Sequence, residues 1–319
     1  MRTVGRTDLP QEQQEALRSA IRWEWGTIAY TSCTIALIAL VVGNSQAMRT
    51  AWIEDMLSLI PQICFLIALL FIRRGPTRTF PYGLHRVMGV GHLVAGVALL
   101  VMGGNLAFEA IAGLVAAEHP TIGTVQLFGV TLWQGWLMIA AMGAIVVGPF
   151  FYGRAKLRLA PKLHNKLLYA DADMAHADWH TNAASIIGVL GIGLGLWWLD
   201  GAAALFISIG IVWDGFKNTK AAVRDLIDER ARTYDDKKPH PLIQDVLTGI
   251  RKQPWVHDAA VRMRDQGQVF HVEVFVVPEA DVPTVETLHS ATRKLAEIDW
   301  KLQDIVIIPV PELPAEAEQ

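Results

Sequence analysis

The stretch Ala172-Asp173-Met174-Ala175-His176-Ala177-Asp178-Trp179-His180-Thr181-Asn182 sets two histidines four residues apart and runs straight into an apolar segment, Ala183 to Trp198. On a helix, positions i and i+4 share a face one turn apart, so His176 and His180 point the same way. Two imidazoles at that spacing make half of a site for a divalent transition metal. The apolar run is long enough to complete a bilayer crossing, and ionisable groups inside a span are costly, which marks them as functional. The plainer alternative is that both rings only bond neighbouring backbone carbonyls.

Working outward, the chain reads as a membrane protein. Of its 319 residues 52% are hydrophobic and only 18% charged, with a mean hydropathy of +0.31, whereas soluble domains carry about a quarter charged residues. A net charge of −3 offers no basic surface for a nucleic-acid partner. Cys33 and Cys64 both lie in apolar runs and read as packing residues. Residues 1–24 are polar and lack the charged-then-apolar pattern of a cleaved leader; they are expected to form a cytoplasmic segment, an amphipathic helix at the membrane surface.

Six apolar stretches qualify as spans within residues 25–217: Gly26 to Val42, Ala51 to Ile72, Val87 to Ile111, Leu132 to Phe151, Leu168 to Trp198 and Ala202 to Phe216. The last two are expected to form a hairpin turned at Leu199-Asp200-Gly201. Basic residues crowd two links on one side: Arg73, Arg74, Arg78 and Arg86, then Arg154, Lys156, Arg158, Lys162 and Lys166. The other side offers Arg49 as its one basic residue. Basic loops stay cytoplasmic, which places both termini inside an inner (plasma) membrane. Residues 218–240 then read as a charged helix and linker broken at Asp235 to Pro241. Residues 241–312 read as a soluble domain of order α-β-β-α-β, an open antiparallel sheet with helices on one face. Its hairpin turn falls at Asp265-Gln266-Gly267-Gln268, and residues 313–319 read as a disordered tail.

The second span supplies the partners for the histidines. Glu54, Asp55 and Ser58 precede Pro61 and Gln62, with Glu54 and Ser58 on one face at i, i+4. Two imidazoles, a carboxylate and a hydroxyl or water suit a tetrahedral zinc site. Such ligands bind metal only when deprotonated, so metal and protons compete for the same atoms. Inside a membrane, that competition is what a metal–proton exchanger requires. Asp178, beside the histidines, reads as a proton relay or as an outer partner of the ligands.

These features together resemble the cation diffusion facilitator family of divalent metal transporters over nearly the whole chain. The segment Ala172 to Asn182 is similar to the family's fifth-span motif, with His180 where aspartate is usual. Phe80-Pro81-Tyr82-Gly83-Leu84-His85-Arg86 resembles the Gly-His-Gly-basic signature that opens span three. Family spacing from Gly83 puts the second-span pair on Glu54 and Ser58; a shift of one residue uses Asp55 instead, and both registers stay open. Leu84 replaces the loop histidine of the family's accessory site, with His85 beside it. The resemblance implies export of a divalent metal, Zn²⁺ first, with Fe²⁺, Co²⁺, Ni²⁺, Cd²⁺ and Mn²⁺ as other candidates. It also implies protons as counter-substrate, no organic cofactor, and a homodimer formed through the membrane and cytoplasmic domains. The cytoplasmic domain would be ferredoxin-like, with His257, His271 and Glu273 on its strands; it is expected to dimerise rather than hold a regulatory metal cluster, and His271 is expected at its surface. Arg86 and Asp228 match positions of a salt bridge at the dimer junction. Two other readings compete: a membrane sensor that binds metal without moving it, and a histidine-box di-iron enzyme. The second needs several further histidine boxes, and the remaining histidines are scattered.

Overall fold

A computed structural model describes residues 9–127, 129–280 and 283–315. The first helix, α1 (Gln11–Val41), starts well before the expected span. Described residues of the segment 1–24 therefore belong to a long helix, with Ala16, Ala20 and Glu24 already buried, rather than to a separate surface helix. Residues 1–8 and 316–319, the ends of the expected terminal segments, lie outside the described residues. Helices α2 (Gln46–Ile72) and α3 (Val87–Val115) follow. A short hairpin, β1 (Thr124–Leu127) with β2 (Val130–Trp133), then precedes α4 (Gln134–Ile145), α5 (Val147–Leu163), α6 (Lys166–Gly193) and α7 (Trp197–Leu226). That hairpin carries little of the alternating burial that would announce it in sequence.

The fourth span is one path broken once, between α4 and α5, and the chemistry of the break is local. Pro149 has no N–H to return to the carbonyl of Ile145. Tyr30 of α1 donates its hydroxyl to that carbonyl instead, at 2.7 Å. The ring reaches it over Gly148, where a Cβ would lie 2.3 Å from the phenol carbon. The basic residues expected in the following link continue α5 as helix, and Lys156 is wholly buried.

Among the described residues, five segments are long and apolar enough to cross a membrane: α1, α2, α3, the α4–α5 path and α7. Their outward faces carry Val101, Phe108, Phe150, Phe206 and Trp213, as lipid contact requires. Helix α6 has 28 residues but carries Asp171, Asp173 and Asp178 besides Lys166, which lowers its apolar content. The α6–α7 turn is Leu194 to Leu196 around Gly195 (φ +82), not Leu199-Asp200-Gly201. Asp200 instead lies in the first turn of α7 and caps α2: its carboxylate accepts from Ser45 Oγ and the Gln46 N–H at 2.6 Å, and from the Ala47 N–H at 3.3 Å. Three otherwise orphaned donors at a helix start meet an acid that the dipole favours. Helices α3 and α7 approach closely where Gly215 faces Leu100; a Cβ there would sit 2.4 Å from the Leu100 nitrogen.

The C-terminal domain runs α8 (Leu242–Arg251), β3 (Val256–Asp265), β4 (Phe270–Pro278), α9 (Val285–Ala296) and β5 (Leu302–Pro309). The element order matches expectation, but the sheet is mixed: β3 and β4 are antiparallel, β4 and β5 parallel. Because α9 carries the chain back across one face before β5 begins, the third strand must run the same way as β4. Val246, Ile250, Val261, Phe270, Val274 and Leu295 fill its core. The domain meets the helices at its β3–β4 turn. Gly267 (φ +100) lets the turn approach so closely that a Cβ would lie 2.5 Å from the His85 carbonyl oxygen. Beside it, the ring of His164, in the left-handed residue that ends α5 (φ 45), stacks at 4.7 Å on His240 and 5.2 Å from Phe270.

Candidate metal centre

The buried face of α6 decides which of its polar residues can form a site. That face carries Leu168, Asp171, Met174, Asn182, Ser185 and Val189. Asp178 lies on the same stripe, one turn after Met174 and one before Asn182. His176 and His180 each stand two residues from Asp178, roughly 200° around the helix, and both are exposed. His180 stacks on Trp179 with centroids 3.7 Å apart. His176 lines an outward-facing hollow with Pro149, Phe150, Arg154 and Trp179. The two histidines do share a face, as their spacing demands, but it is the outer face.

Across the seam, α2 presents Glu54 and Asp55. An oxygen of Asp55 accepts from Thr34 of α1 at 3.1 Å. Glu54 lies beside the Thr181 hydroxyl, while its Oε2 is buried with no hydrogen-bond partner among the described residues. Asp178 faces the Tyr152 hydroxyl of α5. Glu54, Asp55 and Asp178 are close enough to act on one another electrostatically, with Asp214 of α7 farther along the same path. Ser58 turns back on its own helix and donates to the Asp55 carbonyl at 2.8 Å, a common habit of helical serines.

The structure thus brings Glu54, Asp55 and Asp178 together and leaves His176 and His180 outside. The residue expected as a relay stands at the centre, and the expected fifth-span pair stands at the lipid face. A signal for this was present in sequence: Asp171, Asp178, Asn182 and Ser185 form a polar stripe at spacings of seven, four and three. Among the described residues, no three His, Cys, Asp or Glu side chains stand close enough to enclose an ion. The donors available are all oxygens, and a buried carboxylate oxygen without a partner is a place where a cation or a proton gains energy.

At the C-terminal-domain end, Arg86 forms an ion pair with Asp228 of the same chain, and Arg264 of β3 meets the other Asp228 oxygen at 2.7 Å. His271, expected at the surface, is buried between Asp304 and Glu273: its Nδ1 meets Asp304, and its Nε2 lies 3.4 Å from Glu273. The hydrogen bond to Asp304 raises its pKa. His257 is exposed and lies 3.1 Å from Glu279.

Residues 26–227 match the family profile described as the cation efflux transmembrane domain. The chain belongs to the cation efflux family. Relatives of this cation efflux protein cover most of its length. It is 24% identical over 259 residues to the manganese efflux system protein MneS of Bacillus subtilis, covering 79% of this chain and 82% of MneS. It is 26% identical over 278 residues to the uncharacterized transporter YdbO of the same organism, covering 82% and 85%. Metal tolerance protein 7 of rice (Oryza sativa subsp. japonica) matches at 21% over 319 residues, covering 94% and 75%. Family and relatives agree on a multi-pass membrane protein that exports divalent metal.

Proposed function

We propose that this protein exchanges a divalent transition metal for protons, with the transport site at the α2–α6 seam built from Asp55 and Asp178 and with Glu54 beside them. The observation that carries the reading is the buried Glu54 Oε2, without a hydrogen-bond partner among the described residues and within electrostatic reach of Asp55 and Asp178. Such groups bind metal only when ionised, so each ion admitted displaces protons and each proton admitted expels the ion. The expectation of zinc rested on His176 and His180 as ligands. An all-oxygen donor set suits Mn²⁺ better, and manganese is the metal in the printed name of MneS. In this reading α6 is the sixth span, carrying its charges on the inward face where they line the path. The chain works as a homodimer in the plasma membrane with both termini cytoplasmic and a ferredoxin-like C-terminal domain.

Uptake into inside-out vesicles under an imposed pH gradient, measured for Mn²⁺, Zn²⁺, Fe²⁺, Co²⁺, Ni²⁺ and Cd²⁺, tests this. Gradient-driven Mn²⁺ uptake should fall at least ~10–100-fold in Asp178→Asn, as when a metal shell loses a member. His176→Ala and His180→Ala should transport as the wild type does. Loss of transport in the histidine variants, with Asp178→Asn unaffected, would return the site to the histidines. Metal binding without flux in the wild type would make the protein a sensor.

A further inference from the structure

Toward the cytoplasmic domain from the carboxylate site lies a second polar tier on the same seam. Gln62 is seven residues beyond Asp55 on α2, and Asp171 is seven residues before Asp178 on α6. Because the helices are antiparallel, both steps run the same way, about 10.5 Å along the bundle. The two residues meet, Gln62 Nε2 lying 3.4 Å from Asp171 Oδ1. Into this tier Lys156 of α5 inserts its ammonium, bonded to Asp171 and, at 2.9 Å, to Glu24 of α1. Lys156, Glu24, Asp171 and Gln62 are all buried. A Lys–Glu–Asp cluster wholly removed from water is costly to build, and replacing it by apolar residues would be neutral or better for stability alone.

Two features show that the cluster is not a closed ion pair. Glu24 Oε1 and Gln62 Oε1 are buried and accept no hydrogen bond among the described residues, so acceptor capacity faces the tier beyond what Lys156 uses. A polar ladder also joins the two tiers: Glu24, Thr27, Thr31 and Thr34 are buried along one face of α1, from Lys156 at one end to Asp55 at the other. Tyr152 spans the same interval on α5, with the Lys156 ammonium 5.6 Å from its ring centre and its hydroxyl at Asp178.

We infer that Glu24, Asp171 and Gln62 form a second station for the transported divalent cation, which Lys156 occupies as a tethered competing cation until an incoming ion displaces it. The inference rests on the exchanger reading above. The lysine keeps the lower tier charge-compensated when no ion is there, and its departure couples ion entry to loosening of α5 from α1 and α6. It makes Lys156 a determinant of apparent affinity rather than of the central site.

The test is vesicle transport kinetics with Mn²⁺ in wild type, Lys156→Gln and the pair Glu24→Gln with Lys156→Gln, which preserves the net charge of the tier. A tethered competitor predicts that KM falls about tenfold in Lys156→Gln, and that the double variant, which has also lost the Glu24 carboxylate of the station, does not share that fall. An unchanged KM in Lys156→Gln, with only maximal rate or protein amount reduced, would make the cluster a strut and overturn the inference. In the wild type, saturating Mn²⁺ should expose Lys156 to an amine-reactive reagent, read by mass spectrometry as a several-fold rise in its modification. Lack of any rise overturns the inference even if neither variant folds. Absence of Mn²⁺ transport in the wild type is a different result, and it strikes the exchanger reading first.

Discussion

Acidification should loosen the C-terminal domain from the helices, and His164 supplies one share of the effect. Its ring is 5% exposed, packed on His240 and Phe270, with Nε2 3.6 Å from Asp265 Oδ2. Burial, then the charge of Lys301, push its pKa from 6.5 down to about 4. A docked pKa below the undocked one means that the undocked form takes up the extra proton. Docking energy is then fully present above 6.5 and is lost as pH falls toward 4. Between pH 8 and pH 5 this linkage removes about 2 kcal/mol, or roughly 30-fold in the docking equilibrium. Lys301, pushed by burial down to about 7, adds in the same sense, weakening docking as pH falls from 10.5 to 7. Asp265 contributes nothing to this window: burial acts to raise it, but His164 and Lys301 hold it below the usual carboxylate range, so it stays ionised at pH 5. Hydrogen–deuterium exchange of the peptide spanning residues 265–270, corrected for intrinsic rates, reads the opening directly. His164→Gln should remove the His164 share of the pH dependence and leave those of Lys301 and of His240, whose pKa burial lowers to about 3. Equal pH dependence in wild type and His164→Gln would refute the reasoning.

Asp200→Ala strips three donors at the start of α2 of their acceptor and should cost about 2–3 kcal/mol, lowering the melting temperature in detergent while leaving the KM for metal unchanged. Asp228 combines two arginine partners with a left-handed backbone (φ 66). Since these ion pairs are partly exposed, Asp228→Asn should cost no more than about 1 kcal/mol, and Asp228→Ala measurably more because alanine tolerates that conformation poorly; thermal denaturation of the two variants compares them. Gly215→Leu should prevent α3 and α7 from closing at Leu100, seen as loss of folded protein from the membrane, where Gly210→Leu, with open space around its Cβ position, is tolerated.

Much of the architecture was legible because membrane spans and soluble domains obey different composition rules. Runs of apolar residues located the helices, though α1, α5 and α7 each extend ten or more residues past the expected ends, and the α-β-β-α-β order of the C-terminal domain followed from period and turn residues. What failed depended on contacts between distant residues. Lys156 looked like one more loop cation until Glu24 and Asp171, 132 and 15 residues away, closed around it. Asp200 looked like a turn residue until the α2 start supplied its donors. The parallel partner of β4 came from the path of α9, which no local pattern in β5 records.

The position of the two histidines off the polar seam has a more specific cause. A spacing of four establishes that two residues share a helix face, and it is silent about which face that is. For His176 and His180 the deciding evidence lay in the residues around them. Trp179, next to His180, is large, apolar and exposed, as suits a side turned to lipid. Asp171, Asp178, Asn182 and Ser185 mark the opposite side, and Ala175 lets α5 come close there at Gly153. In a soluble helix the polar stripe faces water and the apolar stripe the core. Within a membrane the solvent is apolar, so the argument inverts: the polar stripe of α6 must be the inward one. Applied to α1, the same inversion picks out Glu24, Thr27, Thr31 and Thr34, and applied to α2 it picks out Asp55 and Gln62. Three helices therefore turn polar residues toward one another along a common seam, and Asp178 stands on it while His176 and His180 stand beside it.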